Sequence, residues 1–421
     1  MVLAGVGLCV PAGAQSTKPS EELNKQTLVL PIPLPGSGGK DGRDLRYAIS
    51  FGPAVPVSAL VFSADGKQLF AGGYGEVLVW DLVRGKLARR IRGGLFDGAV
   101  RDLALTDDGK LLIVGGGVPG QAGTVVLVDL RTGKQVASFT EPADVVQRLA
   151  VSPDGQFLAA GAAEPNVYVW NIAERKLVAT LPGHGAAAGG VAFSIDGKQL
   201  ATGGTDRRVR LWDVESWKED ASIAMPEPIT DVAFCPDGQQ IGVAVAGPTE
   251  WTIRVVRLAN TKEVRVFYSG GTAPLRAVWS TRPNRKAKRL YIGCNDNTVR
   301  GIVGPGIPPP VVARGHSDWV CGLAVSPNGR RIASGSLDGT VRLWNEADGR
   351  PLALLAQLTP DTDEWLVATP PGFLAASSVN MVQWRAKGIA TAPADLTAAF
   401  ADSESLRKVL AGKKLAPPTI K

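Results

Sequence analysis

The chain has only two histidines in 421 residues, and both stand in the same setting. His184 follows a glycine and precedes Trp212 by 28 residues; His316 stands in the same relation to Trp344. Between them lie a hydroxyl and a carboxylate at matching offsets, Thr202 and Asp206 in one stretch, Ser334 and Asp338 in the other. Hydroxyl, imidazole and carboxylate are the ingredients of acyl transfer by an activated nucleophile. They are equally the partners that a buried imidazole and a buried indole N–H need in order to be satisfied. A set that occurs twice at one spacing reads as a repeated structural device. It leaves no third imidazole to act as a base or a zinc ligand.

Other chemistries find little support. The recurring aspartates Asp65, Asp108, Asp154, Asp196 and Asp237 each precede a glycine, as an Asp-Gly turn demands, and do not converge on one point. Nothing favours a calcium-lined channel. The glycine runs at 72–73, 115–117 and 203–204 end second strands of the repeat rather than join a strand to a helix, which argues against a phosphate loop. Cys235, Cys294 and Cys321 lack metal or haem spacing and read as small buried side chains. No cofactor is expected. The net charge of +7 is spread over many units. Its densest run, Arg282, Arg285, Lys286, Lys288 and Arg289, reads as a solvated hairpin tip rather than an anion site. Basic grooves with stacked aromatics are absent, so no nucleic-acid partner is expected.

The elements that position the histidines come from a repeat. Turn glycines at Gly66, Gly109, Gly155, Gly197, Gly238, Gly329 and Gly372 are spaced in the low forties, with one double gap that hides a degenerate unit near Asn284. The first unit runs from Val57 to Phe62, turns at Asp65-Gly66, resumes at Gln68 to Ala71 and ends at Trp80-Asp81. Alternating apolar positions joined by glycine turns predict three antiparallel strands, and Lys86 to Arg92 a more polar fourth at the edge. The later units end at Asp129, Asn171, Asp213, Arg257, Arg300, Asn345 and Arg385, which makes eight units. Ile302 to Pro310 replaces a clean outer strand with a Gly/Pro-rich excursion.

This pattern resembles a WD40-repeat β-propeller over roughly residues 45–385. The resemblance implies an all-β fold of four-stranded antiparallel blades, with the last strand of one repeat lent to the next blade and a terminal strand closing the ring. Leu45 to Ser50 is the candidate closing strand. Eight units imply eight blades, or seven with one appended unit, since the last carries Thr369-Pro370-Pro371-Gly372 in place of Asp-Gly. That last unit, Asp363 to Phe373 with Gln383-Trp384, is similar to the closing unit of many large bacterial WD40 proteins. The family's hydrogen-bonded tetrad maps onto His184, Thr202, Asp206 and Trp212, and onto His316, Ser334, Asp338 and Trp344.

The resemblance also implies a docking face, built from the loops before the first strand and between the second and third. Aligning units places Pro56, Ala99, Val145, Ala187, Pro228, Pro274 and Trp319 in a ring, where Trp319 is either an exposed anchor or a cover for the Gly315-His316 loop. Tyr74, Glu164, Arg207, Arg208 and Asn295 are its neighbours.

Residues 1–15 read as an export signal, on the apolar run Val2 to Val10 and the Ala12-Gly13-Ala14 site; without one the chain would be cytoplasmic. Residues 16–44 read as a Pro/Gly-rich linker, 45–388 as the propeller and 389–421 as a tail with one short helix in Asp402 to Lys414. Its Leu406, Val409 and Leu410 side would pack on the propeller edge or receive a partner. No run is long enough to cross a bilayer. The expectation is a monomeric, non-catalytic scaffold that binds a protein or peptide. The alternative is a propeller that acts on a small molecule or glycan in its central channel.

Overall fold

Each repeat folds where its sequence alternates, and a short polar turn reverses the chain. In the first, Asp65 Oδ1 accepts hydrogen bonds from Lys67 N at 3.0 Å and Ser63 Oγ at 2.7 Å, and Gly66 takes a positive φ of 66° that other residues seldom adopt. The same construction recurs around Asp108, Asp154 and Asp196. The backbone N–H of Lys110 and the Thr106 hydroxyl hold the Asp108 carboxyl down at about 2.

The computed structural model describes residues 26–31, 44–51, 54–92, 94, 96–247, 251–280, 289–304, 309, 311–360, 362–378, 382–387 and 393–418. Within them seven antiparallel blades are arranged around an axis. The inner strands, in order, are Ala59–Phe62, Ala99–Leu105, Val146–Val151, Gly190–Phe193, Ile229–Phe234, Pro274–Trp279 and Val320–Val325. Each packs beside the next, and the last lies against the first, which closes the ring. Every interface between neighbouring blades holds its own apolar cluster. The fold is therefore held by sheet faces that no blade can bury alone. A fully buried side chain as large as Trp170 contributes upwards of about 2 kcal/mol to such a cluster.

The ring has seven blades, not eight. The last unit divides: Trp365–Ala368 and Leu374–Ala376 add to blade seven as a fifth and sixth strand, while Gln383–Lys387 pairs elsewhere. The reason is visible in the fourth strand of that blade. Pro351–Gln357 is apolar on both faces and buried from Leu352 to Ala356, whereas Lys176–Leu181, the outer strand of blade three, is largely exposed. A strand with two apolar faces cannot serve as an edge, so the next hairpin covers it.

The terminal strand expected to close the ring does not do so. Asp44–Phe51, which contains Leu45 to Ser50, pairs with Gln383–Lys387 and Gln26–Pro31 in a separate three-stranded sheet. The position it would take in blade seven, beside Thr340–Asn345, is filled by Pro351–Gln357. Each blade is thus one continuous stretch of chain. Residues 26–31, expected in a linker, form a strand, and Val311–Arg314 supplies blade six with an outer strand after the Gly/Pro-rich excursion. Residues 1–15 and the hairpin tip at 281–288 lie outside the described residues. Arg289, at the end of the expected solvated run, is buried and donates to the Tyr291 hydroxyl and the Glu346 carbonyl, each at 2.8 Å.

The tail forms two helices rather than one, α1 (Pro393–Phe400) and α2 (Ser403–Leu410). Asp402 caps α2 by accepting from Glu404 N at 2.9 Å. Leu406, Val409 and Leu410 are buried in the cluster that blades seven and one share, together with Leu82 and Leu352. That side of the helix is spent on the propeller rather than offered to a partner. Leu396 and Phe400 of α1 pack in a neighbouring cluster with Leu45 and Leu354. Helix α2 therefore sits at the seam where the first and last blades meet, and α1 packs on the outer strands of blade seven.

Candidate functional site

Both histidines lie inside blades. His184 Nδ1 is 2.9 Å from Asp206 Oδ1 and its Nε2 is 2.8 Å from Thr202 Oγ1, while Trp212 Nε1 donates to that hydroxyl at 3.0 Å. In blade seven His316 Nδ1 is 2.9 Å from Asp338, its Nε2 is 2.7 Å from Ser334 Oγ, and Trp344 Nε1 donates to Ser334 at 2.7 Å. Every donor in the chain has one acceptor: indole to hydroxyl, hydroxyl to Nε2, Nδ1–H to carboxylate. Burial lowers the pKa of both imidazoles and outweighs the neighbouring carboxylates. Burial also works to raise Asp338, but hydrogen bonds from His316 and Thr340 overcome it and hold the group ionised well below the usual carboxylate range. The Gly203-Gly204 pair belongs to this device. A Cβ at Gly204 would lie 2.5 Å from His184 Nδ1 and 2.6 Å from Asp206 Oδ1.

A second polar constellation stands where the inner strands face the axis. One position in each inner strand pairs with the small residue of the second strand, from Ala59 with Gly72 to Gly322 with Gly335. These positions hold Ala59, Asp102, Arg148, Gly190, Asp231, Arg276 and Gly322. The two arginines and two aspartates neutralise one another: Arg276 meets Asp102 at 3.0 Å and Asp231 at 3.9 Å, and Arg148 meets Asp231 at 3.5 Å. Each carboxylate also joins two blades. Asp102 accepts from Leu103 N and Leu149 N, and Asp231 from Val232 N and Ala277 N. Sequence reading missed this set, although a charged residue at one register of an otherwise apolar strand was the available signal. The centre of the ring is occupied by mutually satisfied charges. Among the described residues no group of three or more His, Cys, Asp or Glu side chains is arranged to hold a metal ion.

The expected docking face is built as follows. Trp319 sits at the entry to the inner strand of blade seven. Its backbone is fixed by Asp318 Oδ1 at 2.7 Å and by Leu337 N at 3.0 Å, while its side is 38% exposed. Tyr74, in blade one next around the ring, is 58% exposed. Among the described residues these are the two aromatics in the set of exposed large apolar side chains. The other named neighbours are more committed. Glu164 accepts from Ala143 N at 2.5 Å and from the Tyr168 hydroxyl, and Asn295 Oδ1 accepts from Ala273 N at 2.8 Å, so both brace loops. Arg207 and Arg208 are exposed and reach Pro226 O and Ser222 Oγ. In blade six the strand register puts Ala273, not Pro274, at the place of Trp319. Cys235, Cys294 and Cys321 are buried, and burial pushes the Cys294 thiol up to about 12.

Comparison with known proteins defines the class. The family model described as "WD domain, G-beta repeat" matches residues 48–81, 133–171, 175–213 and 309–345. The last three of these segments start in the outer strand of one blade and end with the third strand of the next, at Asn171, Asp213 and Asn345. The fold is a seven-bladed β-propeller, and these four segments are similar to WD40 repeats. Among its curated relatives, "Transcription factor unc-37" of Caenorhabditis elegans is 29% identical over 158 residues, 35% of this chain and 25% of that protein. "Protein groucho" of Drosophila melanogaster is 28% identical over 188 residues, 42% of this chain and 25% of its own. "Transducin-like enhancer protein 2" of Mus musculus is 29% identical over 164 residues, 37% of this chain and 21% of its own. The chain thus spans a quarter or less of the length of these relatives.

Two expectations are corrected by these matches. The export read from residues 1–15 is contrary to them, since a protein named a transcription factor works on genes inside the cell. The bacterial likeness of the last unit finds no support in relatives from a nematode, a fly and a mouse.

Proposed function

We propose that the protein is a non-catalytic, monomeric scaffold that holds a protein or peptide partner on the face carrying Trp319 and Tyr74, without recognising nucleic acid. The observation that carries this reading is the pairing of two exposed aromatics on adjacent blades, one with its backbone fixed by hydrogen bonds. A rigid backbone under a large amphipathic ring loses little freedom on binding, and tryptophan and tyrosine dominate binding hot spots. Among the described residues, the imidazoles and the axial carboxylates are engaged elsewhere. Both imidazoles lie within blades, and the axial carboxylates are bonded to arginines and backbone amides. The relatives support the same class, being named as a transcription factor and related proteins rather than as enzymes.

Peptides selected from a displayed library on the intact chain provide the test. Trp319→Ala should weaken the selected peptides by about 2 kcal/mol, roughly thirtyfold, with the melting temperature unchanged. Tyr74→Ala should weaken them less. Undiminished binding by both variants would place the docking surface elsewhere.

A further inference from the structure

The opposite end of the seam between blades seven and one carries a cleft of about 550 Å³. Its walls are the turn at Leu82 and Val83 of blade one, the turn at Arg330 and Arg331 of blade seven, and the end of α2 at Arg407. These turns join first strands to second and third strands to fourth, so the cleft opens on the face away from Trp319 and Tyr74. Its volume falls within the range of about 300–1,000 Å³ usual for ligand sites.

The lining combines one sign of charge with an exposed apolar rim residue over buried leucines. Three guanidinium groups, of Arg330, Arg331 and Arg407, line the cleft, and no aspartate or glutamate does. Among the described residues, none of the three is paired with a carboxylate. Arg331 is half-buried and spends one Nη2 donor on Gly66 O at 2.7 Å, a backbone carbonyl that bridges blade seven to blade one without neutralising the charge. Leu82 and Leu352 are buried at the base, and Val83 stands more than half exposed at the rim. Guanidinium groups match carboxylates in planar, two-pronged hydrogen bonds. The exposed valine supplies a contact for an aliphatic side chain.

We propose that this cleft binds an acidic peptide segment of a protein partner, with carboxylates on Arg330, Arg331 and Arg407 and an adjacent aliphatic side chain on Val83. Charge complementarity selects the acidic occupant, and the exposed Val83 at the rim selects a peptide over a bare anion. The site is independent of the aromatic face, because it is built from the other ends of the blades.

Fluorescence anisotropy with the full chain and a labelled peptide of alternating glutamate and leucine tests the proposal. Saturable binding is expected, falling with added salt and absent for the matching lysine–leucine peptide. Combined Arg330→Glu and Arg407→Glu substitution should weaken it by about tenfold or more. Both side chains are exposed, so the melting temperature should hold. Trp319→Ala should leave the affinity unchanged, which separates this site from the aromatic face. Equal binding of the two peptides, survival of binding in the double variant, or full displacement by millimolar inorganic phosphate would overturn the proposal, the last in favour of a small-anion site.

Discussion

Blades four and seven differ from blades one and three in what surrounds the tryptophan that ends the third strand. All four tryptophans are buried, and all four stand at a register shift against the fourth strand. In blades four and seven the indole donates to Thr202 or Ser334. In blades one and three, strand pairing puts Ala71 and Ala160 at the place of that hydroxyl, and Trp80 Nε1 and Trp170 Nε1 have no acceptor among the described residues. Both kinds of blade share the same first four strands, which are closely packed at the core. The contrast teaches that the indole's volume, not its hydrogen bond, specifies the blade. The tetrad is an added brace that ties the loop before a blade to its second and third strands.

Breaking a brace should produce the largest effect. Asp338→Ala leaves a buried Nδ1–H without an acceptor and should cost about 1–3 kcal/mol in chemical denaturation. No change in the denaturation midpoint would mean that blade seven is indifferent to its tetrad, as blades one and three are to lacking one. A smaller effect of opposite sign is expected where the brace is missing. Ala160→Ser offers Trp170 Nε1 an acceptor and should be neutral to stabilising by up to about 1 kcal/mol. A clear loss of stability would show that the apolar pocket of blade three cannot admit a hydroxyl.

The smallest effect is a pH dependence confined to the braced blades. Burial keeps both imidazoles neutral in the folded chain, whereas the unfolded chain takes up protons below about pH 6.5. Their folded pKa values are depressed, so this stability is present above that pH and is lost as pH falls through it. Melting temperature should therefore decline from pH 7.5 towards pH 5, before the carboxylates titrate. A flat profile in that window would mean that the imidazoles are not desolvated.

How much of this was legible in the sequence follows from the same physics. The Asp-Gly turns and the tetrad spacings are local and repeat with the unit, so they could be read directly. The number of blades could not, because the last unit resembles the others within itself and differs only in what it packs against. The double-faced apolar run Leu352 to Ala356 was the signal that another strand lay outside it. The axial set Asp102, Arg148, Asp231 and Arg276 was obscured for another reason: its members are one blade or more apart, and only ring closure brings Asp102 and Arg276 together. On the aromatic face, sequence placed Trp319 and Tyr74, but could not tell that Glu164 and Asn295 hold loops in place.

Because each blade is an uninterrupted segment and neither Asp44–Phe51 nor Gln383–Lys387 is threaded into the wheel, unit number is free to vary by duplication or loss without rewiring the remainder. A copied repeat would enter as a spoke between two existing ones, and α2 would still latch whichever pair came first and last.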